Sequence, residues 1–363
     1  MPGRETLPPV HSTLPTVRAV GGFGVNSRVG RATPQLSVAP MLDWTDRHYR
    51  HFVRPIAPRT RLYSEMVVAE AILRGDPSRL LGYSAQEHPL ALQLGGSDPA
   101  RLAAAAGIGE AYGYDEINLN VGCPSERVQN ATFGACLMAQ PQRVAECIAA
   151  MRAAVRLPVT VKCRIGIDDQ DQYEFLRTFI DTVAGAGCGH FIIHARKAIL
   201  TGLTPRQNRD IPPLRYEVVY RLKQERPDLT IILNGGVRSV AEASVHCAAT
   251  DGVMVGREAY HNPYFLALLE AAMLPPAEAV TVPPPKALVA AMRGYIEAEL
   301  DAGTRLHTMV RHLLGLYAHR PGARSFRRVL AEFGTRPGAG FEVLEAAVAA
   351  AERAANAAGA AEA

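Results

Sequence analysis

The sequence predicts an α/β protein, a (β/α)8 barrel followed by a small all-helical domain. Three observations predict it. Eight short apolar runs, each closed by Gly, Pro, Asn or a charge, recur between residues 36 and 258, and most gaps between them carry helical apolar spacing. Eight such units over about 235 residues approach the ~250 typical of a closed barrel. After the proline-rich stretch LPPAEAVTVPPP (274–285) the spacing is helical throughout, with no strand signal. Strand and helix in alternation call for a parallel sheet covered by helices. A doubly wound open sheet satisfies the same count, so strand number alone does not decide for closure.

In chain order the runs are LSVAPM (36–41), RLYSEMV (61–67), PLALQLGG (89–96), EINLNVGC (116–123), PVTVKCRIG (158–166), HFIIHARK (190–197), LTIILNGG (229–236) and GVMVGRE (252–258). DPARLAAAAGIGEA, PQRVAECIAAMRAAV and YEFLRTFIDTVAGAG supply the helical pattern after the third, fourth and fifth runs. Residues 1–31, with Pro8, Pro9, Pro15 and a GGFG stretch, read as a loose extension. The barrel is expected over 32–273, a linker over 274–285, a helical domain over 286–340 and an alanine-rich helix over 341–363 that frays at AANAAGAAEA.

Composition excludes several classes of function. Of the 363 residues 48% are hydrophobic and 20% charged, and no apolar run approaches the ~18 residues of a membrane span. The first 31 residues lack a continuous apolar core, so export is not expected. The six cysteines (123, 136, 147, 163, 188 and 247) show neither CxxC nor metal-ligand spacing, which predicts no metal centre and a reducing cytoplasm. A net charge of +4 is mild, but seven arginines and a single acid, Glu332, lie between Arg305 and Arg336.

Polar residues crowd the carboxyl ends of the strands, where barrels place their chemistry. Gln93 is read as ending the third; Asn118 and Asn120 share one face of the fourth, Lys162 and Arg164 of the fifth, His194 and Arg196 of the sixth. A lone inward lysine is equally well explained by an internal ion pair. A convergent set is not, because buried charges and amides are costly unless something polar lies between them. Asn234, Gly235 and Gly236 after the seventh run, and Gly256 with Arg257 after the eighth, occupy the positions where barrels bind phosphate through backbone N–H groups. Residues and spacing together predict a phosphorylated ligand in a barrel mouth.

Longer stretches carry a resemblance. APMLDWTDRHYR (39–50), YSEMV (63–67), LQLGGSDP (92–99), EINLNVGCPSERVQ (116–129), FGACLM (133–138), VKCRIGID (161–168), HARKAILTGLTPRQNRDIPPL (194–214), NGG and VGREAY resemble the tRNA-dihydrouridine synthases of the A subfamily, from about residue 36 to 335. QNATF departs from the family pattern, which often has glycine after the Asn. The resemblance implies reduction of the 5,6 double bond of tRNA D-loop uridines, at positions 20 and 20a, by FMN recharged by NADPH. It implies FMN contacts from Pro40, Met41, Gln93, Lys162, His194, Asn234, Gly235, Gly236, Gly256 and Arg257, a uridine contact from Asn120, and tRNA contacts from Arg206, Arg209, Arg324 and Arg327. It implies that Cys123 is the proton donor. Hydride delivered to uracil C6 leaves negative charge between C5 and O4, and an ordinary thiol, with a pKa of about 8.5, still carries its proton near pH 7 to place on C5. The other five cysteines read as small buried hydrophobes. A monomer with tRNA as partner is expected, without membrane or metal.

Three other readings compete: an FMN barrel acting on a free small molecule, a flavin-free barrel using Lys162 as a Schiff-base amine, and a tRNA-binding protein without catalysis. The basic helical segment argues against the first.

Overall fold

A computed structural model describes residues 33–130, 132–276 and 281–362. The expectations for residues 1–31, for Ala131 in QNATF and for 277–280 of the linker lie outside the described residues. Thr33–Ala363 clusters as one compact unit.

All eight apolar runs form strands: β1 (Gln35–Val38), β2 (Leu62–Val68), β3 (Leu90–Gly95), β4 (Glu116–Val121), β5 (Val159–Arg164), β6 (His190–His194), β7 (Thr230–Asn234) and β8 (Gly252–Val255). Every ladder is parallel, in the order β1-β8-β7-β6-β5-β4-β3-β2. The two ends of that order meet: Val38 N donates to Arg61 O and Arg61 N to Leu36 O, each at 2.9 Å. The sheet closes, which settles the barrel against an open sheet.

The two faces of each strand carry different jobs. Outward residues such as Leu92, Leu119, Val161, Ile193 and Val253 pack with the surrounding helices into one apolar core. Inward residues divide by sector. Ala39, Tyr63, Ala91, Ile192, Ile232 and Met254 form a small separate apolar cluster inside the barrel, while Gln93, Glu116, Asn118, Asn120 and Thr160 are buried polar residues on β3, β4 and β5. Polar residues that converge by period-two alternation therefore bond one another across neighbouring strands.

The C-terminal region is helical, as expected, with shorter pieces than the spacing predicts. ALVAAMRGYIEAELDAG divides at Met292 into helices Pro285–Ala291 and Arg293–Asp301. HTMVRHLLG becomes the short helix Leu306–Val310 and a 3-10 turn, Arg311–Gly315, ahead of the helix Ala323–Phe333. The alanine-rich segment is a 21-residue helix, Glu342–Glu362. Its first half is docked, burying Leu344, Ala347, Val348 and Ala351, and residues 356–360 of the expected fraying end are exposed. A Cβ on Gly322, at φ +83°, would stand 2.2 Å from Ala351 O, so that glycine permits the close approach of the tail helix.

Candidate active site

The carboxyl ends of β3 to β8 bring most of the predicted site residues together. On β3 and β4, Gln93 Nε2 donates to Asn118 Oδ1 and Asn120 Nδ2 donates to Gln93 Oε1, both at 2.8 Å. Asn120 Oδ1 then accepts from the backbone N–H groups of Gly122 (3.1 Å) and Cys123 (3.0 Å). The turn after β4 is thus held by the strand's own last inward side chain. Cys123 is half-buried and free of any disulfide. Its carbonyl accepts from Ala135 N at 2.9 Å, and a Cβ on Gly134, at φ +78°, would stand 2.6 Å from that carbonyl. Both sides of the thiol's turn are pinned.

Beside it lies a cluster of cations. Lys162 Nζ donates to Asn234 Oδ1 at 3.0 Å, and Asn234 Nδ2 donates to Met254 O at 2.7 Å. Burial, reinforced by the Arg164 charge, lowers the Lys162 ammonium to about 8. Arg164 is bonded to the carbonyls of Gly122, Lys197 and Asn208, and burial lowers it to about 10. Neither cation has a carboxylate among its partners within the described residues. His194 Nδ1 is buried with no partner, and burial together with Arg164, Lys162, Arg196 and Arg257 pushes this imidazole well below its ordinary value. It is neutral at pH 7. Buried positive charge facing an unpartnered ring nitrogen is costly unless an anionic, hydrogen-bonding group completes the site.

The loop after β7 adopts backbone conformations that favour glycine. Gly235 and Gly236 take φ of +118° and +75°, and side chains there would run into Leu214 and, at Gly236, the Tyr216 hydroxyl. Tyr216 OH donates to Gly235 O at 3.0 Å, fixing the loop. Ala39 N donates to Val255 O (2.8 Å), which carries Pro40 and Met41 to the rim, and Met41 N donates to Thr45 Oγ1 (2.9 Å). A Cβ on Gly256 would lie 3.7 Å from Met41 Sδ, so the β1 and β8 loops meet. Arg257 is bonded to Asp210 Oδ1 at 2.7 Å and reaches Arg209 O at 3.4 Å, which ties the β8 loop to the segment after β6.

Arg206 and Arg209 are exposed at the 3-10 turn Gln207–Arg209. Arg324 and Arg327 are exposed on the Ala323–Phe333 helix, whose opposite face buries Phe326 and Leu330. The arginine-rich stretch is not uniformly free, since Arg311 is bonded to Asp46 and Arg336 lies 3.9 Å from Glu332. Sequence reasoning missed Glu116 and Thr160, although Glu116, Asn118 and Asn120 recur at period two. It missed Asp210 and Tyr216 as well, which sit on a loop and a helix with no such signal. A hollow of about 490 Å3 opens at the opposite mouth, lined by Gln35, Arg61, His190 and Thr230. No thiol borders it; Cys123 and the polar cluster lie at the other mouth. Among the described residues no group of three or more His, Cys, Asp or Glu forms a metal cage, and no helix is long and apolar enough to cross a membrane.

The chain is similar to known proteins over most of its length. The family model for dihydrouridine synthases matches residues 37–355. A protein of Xanthomonas campestris called tRNA-dihydrouridine(20/20a) synthase is 58% identical over 313 residues, 86% of this chain and 92% of its own length. Relatives of the same name from Shewanella oneidensis and Escherichia coli K12 are 56% and 57% identical, over 86% of this chain and 92% and 90% of their own lengths.

Proposed function

This chain belongs to the dihydrouridine synthase family, and from that premise we propose that it reduces the C5–C6 double bond of uridines 20 and 20a in the tRNA D-loop, as a cytoplasmic monomer with bound FMN and NADPH as reductant. The observation that carries the reading is a pair of cations, half-buried Lys162 and buried Arg164, bonded only to neutral acceptors beside an unpartnered His194 nitrogen and a half-buried thiol.

The residues present fit FMN. Gly235 and Gly236, both at positive φ, and Gly256 would offer backbone N–H groups to a phosphate, with Arg257 beside them. Lys162 supplies positive charge to an electron-rich ring edge, Gln93 supplies its amide, His194 offers Nδ1, and the Pro40–Met41 backbone forms the floor. When bound, the flavin supplies the hydride. Cys123 donates the thiol proton to C5 while hydride arrives at C6, so the base gains both hydrogens across one bond. Asn120 holds the Cys123 turn and orients the uracil.

A uridine stacked in the tRNA elbow reaches this mouth only if it is extruded, at a cost of a few kcal/mol. Phosphate contacts supply compensating binding energy, from Arg206 and Arg209 at the rim and Arg324 and Arg327 on the helical region. The test is dihydrouridine mapping after incubating the purified flavoprotein with NADPH and unmodified tRNA, alongside free uridine. Product at positions 20 and 20a, with free uridine left unreduced, supports the reading. Reduction of free uridine at a comparable rate favours the small-molecule oxidoreductase, and no product with either substrate defeats the proposal.

A further inference from the structure

A chain of side-chain hydrogen bonds crosses the barrel from its amino-terminal mouth to the Cys123 turn. It begins at Glu116, the first residue of β4, which is fully buried. Glu116 Oε2 pairs with Arg61, while Glu116 Oε1 accepts from Tyr63 OH and from Thr160 Oγ1, both at 2.7 Å. Thr160 Oγ1 accepts from Asn118 Nδ2 at 2.8 Å. Asn118 Oδ1 accepts from Gln93 Nε2, Gln93 Oε1 accepts from Asn120 Nδ2, and Asn120 Oδ1 accepts from the N–H groups of Gly122 and Cys123.

Every link of this relay has a dictated direction. A carboxylate only accepts, so Thr160 must give it its one hydroxyl proton and must accept from its other neighbour. That orients the Asn118 amide, which orients Gln93, which orients Asn120. Backbone N–H groups only donate, so the far end independently demands the same orientation of Asn120. The two ends agree. An interior relay satisfied at every link is rigid, and a donor left without its acceptor there is costly enough to move.

We propose that Glu116 and Thr160 are positioning residues for the reaction, holding the Cys123 turn and the site-facing amides of Gln93 and Asn120 in one geometry through this relay. The inference rests on the assignment of Cys123 as proton donor. Thr160 is the decisive link, because Thr160→Val keeps the shape and removes the hydroxyl, whereas Thr160→Ser keeps the hydroxyl. Neither change touches the Arg61–Glu116 pair.

The first readout is the rate of Cys123 alkylation by iodoacetamide in the FMN-loaded protein without tRNA, followed by mass spectrometry of the Cys123 peptide. The second is single-turnover dihydrouridine formation, measured beside flavin reduction by NADPH and tRNA affinity. Thr160→Val is expected to change the alkylation rate and to slow single-turnover product formation about tenfold, since sub-ångström misplacement of a reacting group costs on this scale. Flavin reduction and tRNA affinity stay within twofold of wild type, and Thr160→Ser restores both affected rates. The proposal is overturned if Thr160→Val matches wild type in alkylation and product formation, or if it lowers thermal stability and all rates alike without rescue by Thr160→Ser. Absence of product from the wild type would sink the assigned reaction yet leave the alkylation comparison to decide the relay.

Discussion

Cys123 stands where β4 has ended and Pro124 forbids its continuation, so its backbone N–H has no ladder partner and turns back to Asn120 Oδ1. That arrangement leaves Cys123 half-buried at the carboxyl end of β4, against the edge of the apolar core. A proton donor of this kind contributes typically 10²–10⁴-fold, so Cys123→Ala is expected to lower dihydrouridine formation by about that factor. FMN binding and NADPH oxidation should persist, as absorbance at the flavin bands would report, and full product formation by this variant would remove the role. Lys162 permits a pH prediction. Below about 8 it carries its proton and above that value it loses it. An electron-rich ligand edge favours the charged form, so binding takes up a proton near pH 8–9 and affinity falls as pH rises through this window. FMN titrations at pH 7 and pH 9 should show weakening severalfold in the wild type and a nearly flat response in Lys162→Met. Residues such as Lys162 and His194 were legible because a charged or polar side chain on an inward strand face is costly to bury unless a polar group meets it there. Glu116 and Thr160 were not, because Glu116 opens its strand where a solvent-facing end is the default, and threonine is an ordinary strand former.

Elements were more legible than their ends and partners. Six of the eight strands fall inside the predicted runs, and β1 and β2 overrun theirs by one residue each, because glycine, proline or charge bounds most runs and stops a strand wherever it occurs. The Met292 break and the docked tail were not legible, since alanine-rich spacing suits a long free helix as well as a packed one. Closure of the sheet depends on two hydrogen bonds between β1 and Arg61 that no local pattern encodes. The Ala323–Phe333 helix shows what spacing does fix. Arg324 and Arg327 fall one turn apart on the exposed side because Phe326 and Leu330 claim the other. If this pair contacts two phosphates, log–log plots of tRNA affinity against salt should lose about 1.5 from their slope in the Arg324→Ala, Arg327→Ala variant, at roughly 0.7–0.9 per phosphate. An unchanged slope would place the tRNA backbone elsewhere.

At the scale of the whole molecule, the barrel and the helical region are joined around the first helix, Arg47–Val53. Asp46 caps that helix, accepting from His48 N and Tyr49 N, and also accepts from Arg311 Nη2 (2.9 Å) and His312 Nε2 (3.0 Å). Burial alone would raise its carboxyl; the His312 hydrogen bond and charge, with the Tyr49 N–H, outweigh that and hold it well below the usual carboxylate range. Asp46→Ala therefore removes a cap together with the acceptor of the buried His312 and the half-exposed Arg311, and a loss of about 2 kcal/mol is expected in urea unfolding. A second contact on the same helix responds to milder acid. His51 stacks on Tyr295 with ring centroids 3.7 Å apart and bonds Ser84 Oγ at 2.9 Å, and burial lowers it to about 4. Between pH 6.5 and 4 the unfolded chain binds a proton at His51 that the folded chain does not, so stability is full above that window and falls as pH drops through it. His51→Phe keeps a ring against Tyr295, removes the titration, and leaves Ser84 Oγ its bond to Glu87. Urea midpoints at pH 7 and pH 5 should therefore differ less in His51→Phe than in the wild type, and an equal drop would mean that acid acts somewhere other than this joint. If Arg324 and Arg327 contact the tRNA, they do so from the far side of the joint, and a variant that loosens it should lose tRNA affinity while its flavin is still reduced by NADPH at the wild-type rate.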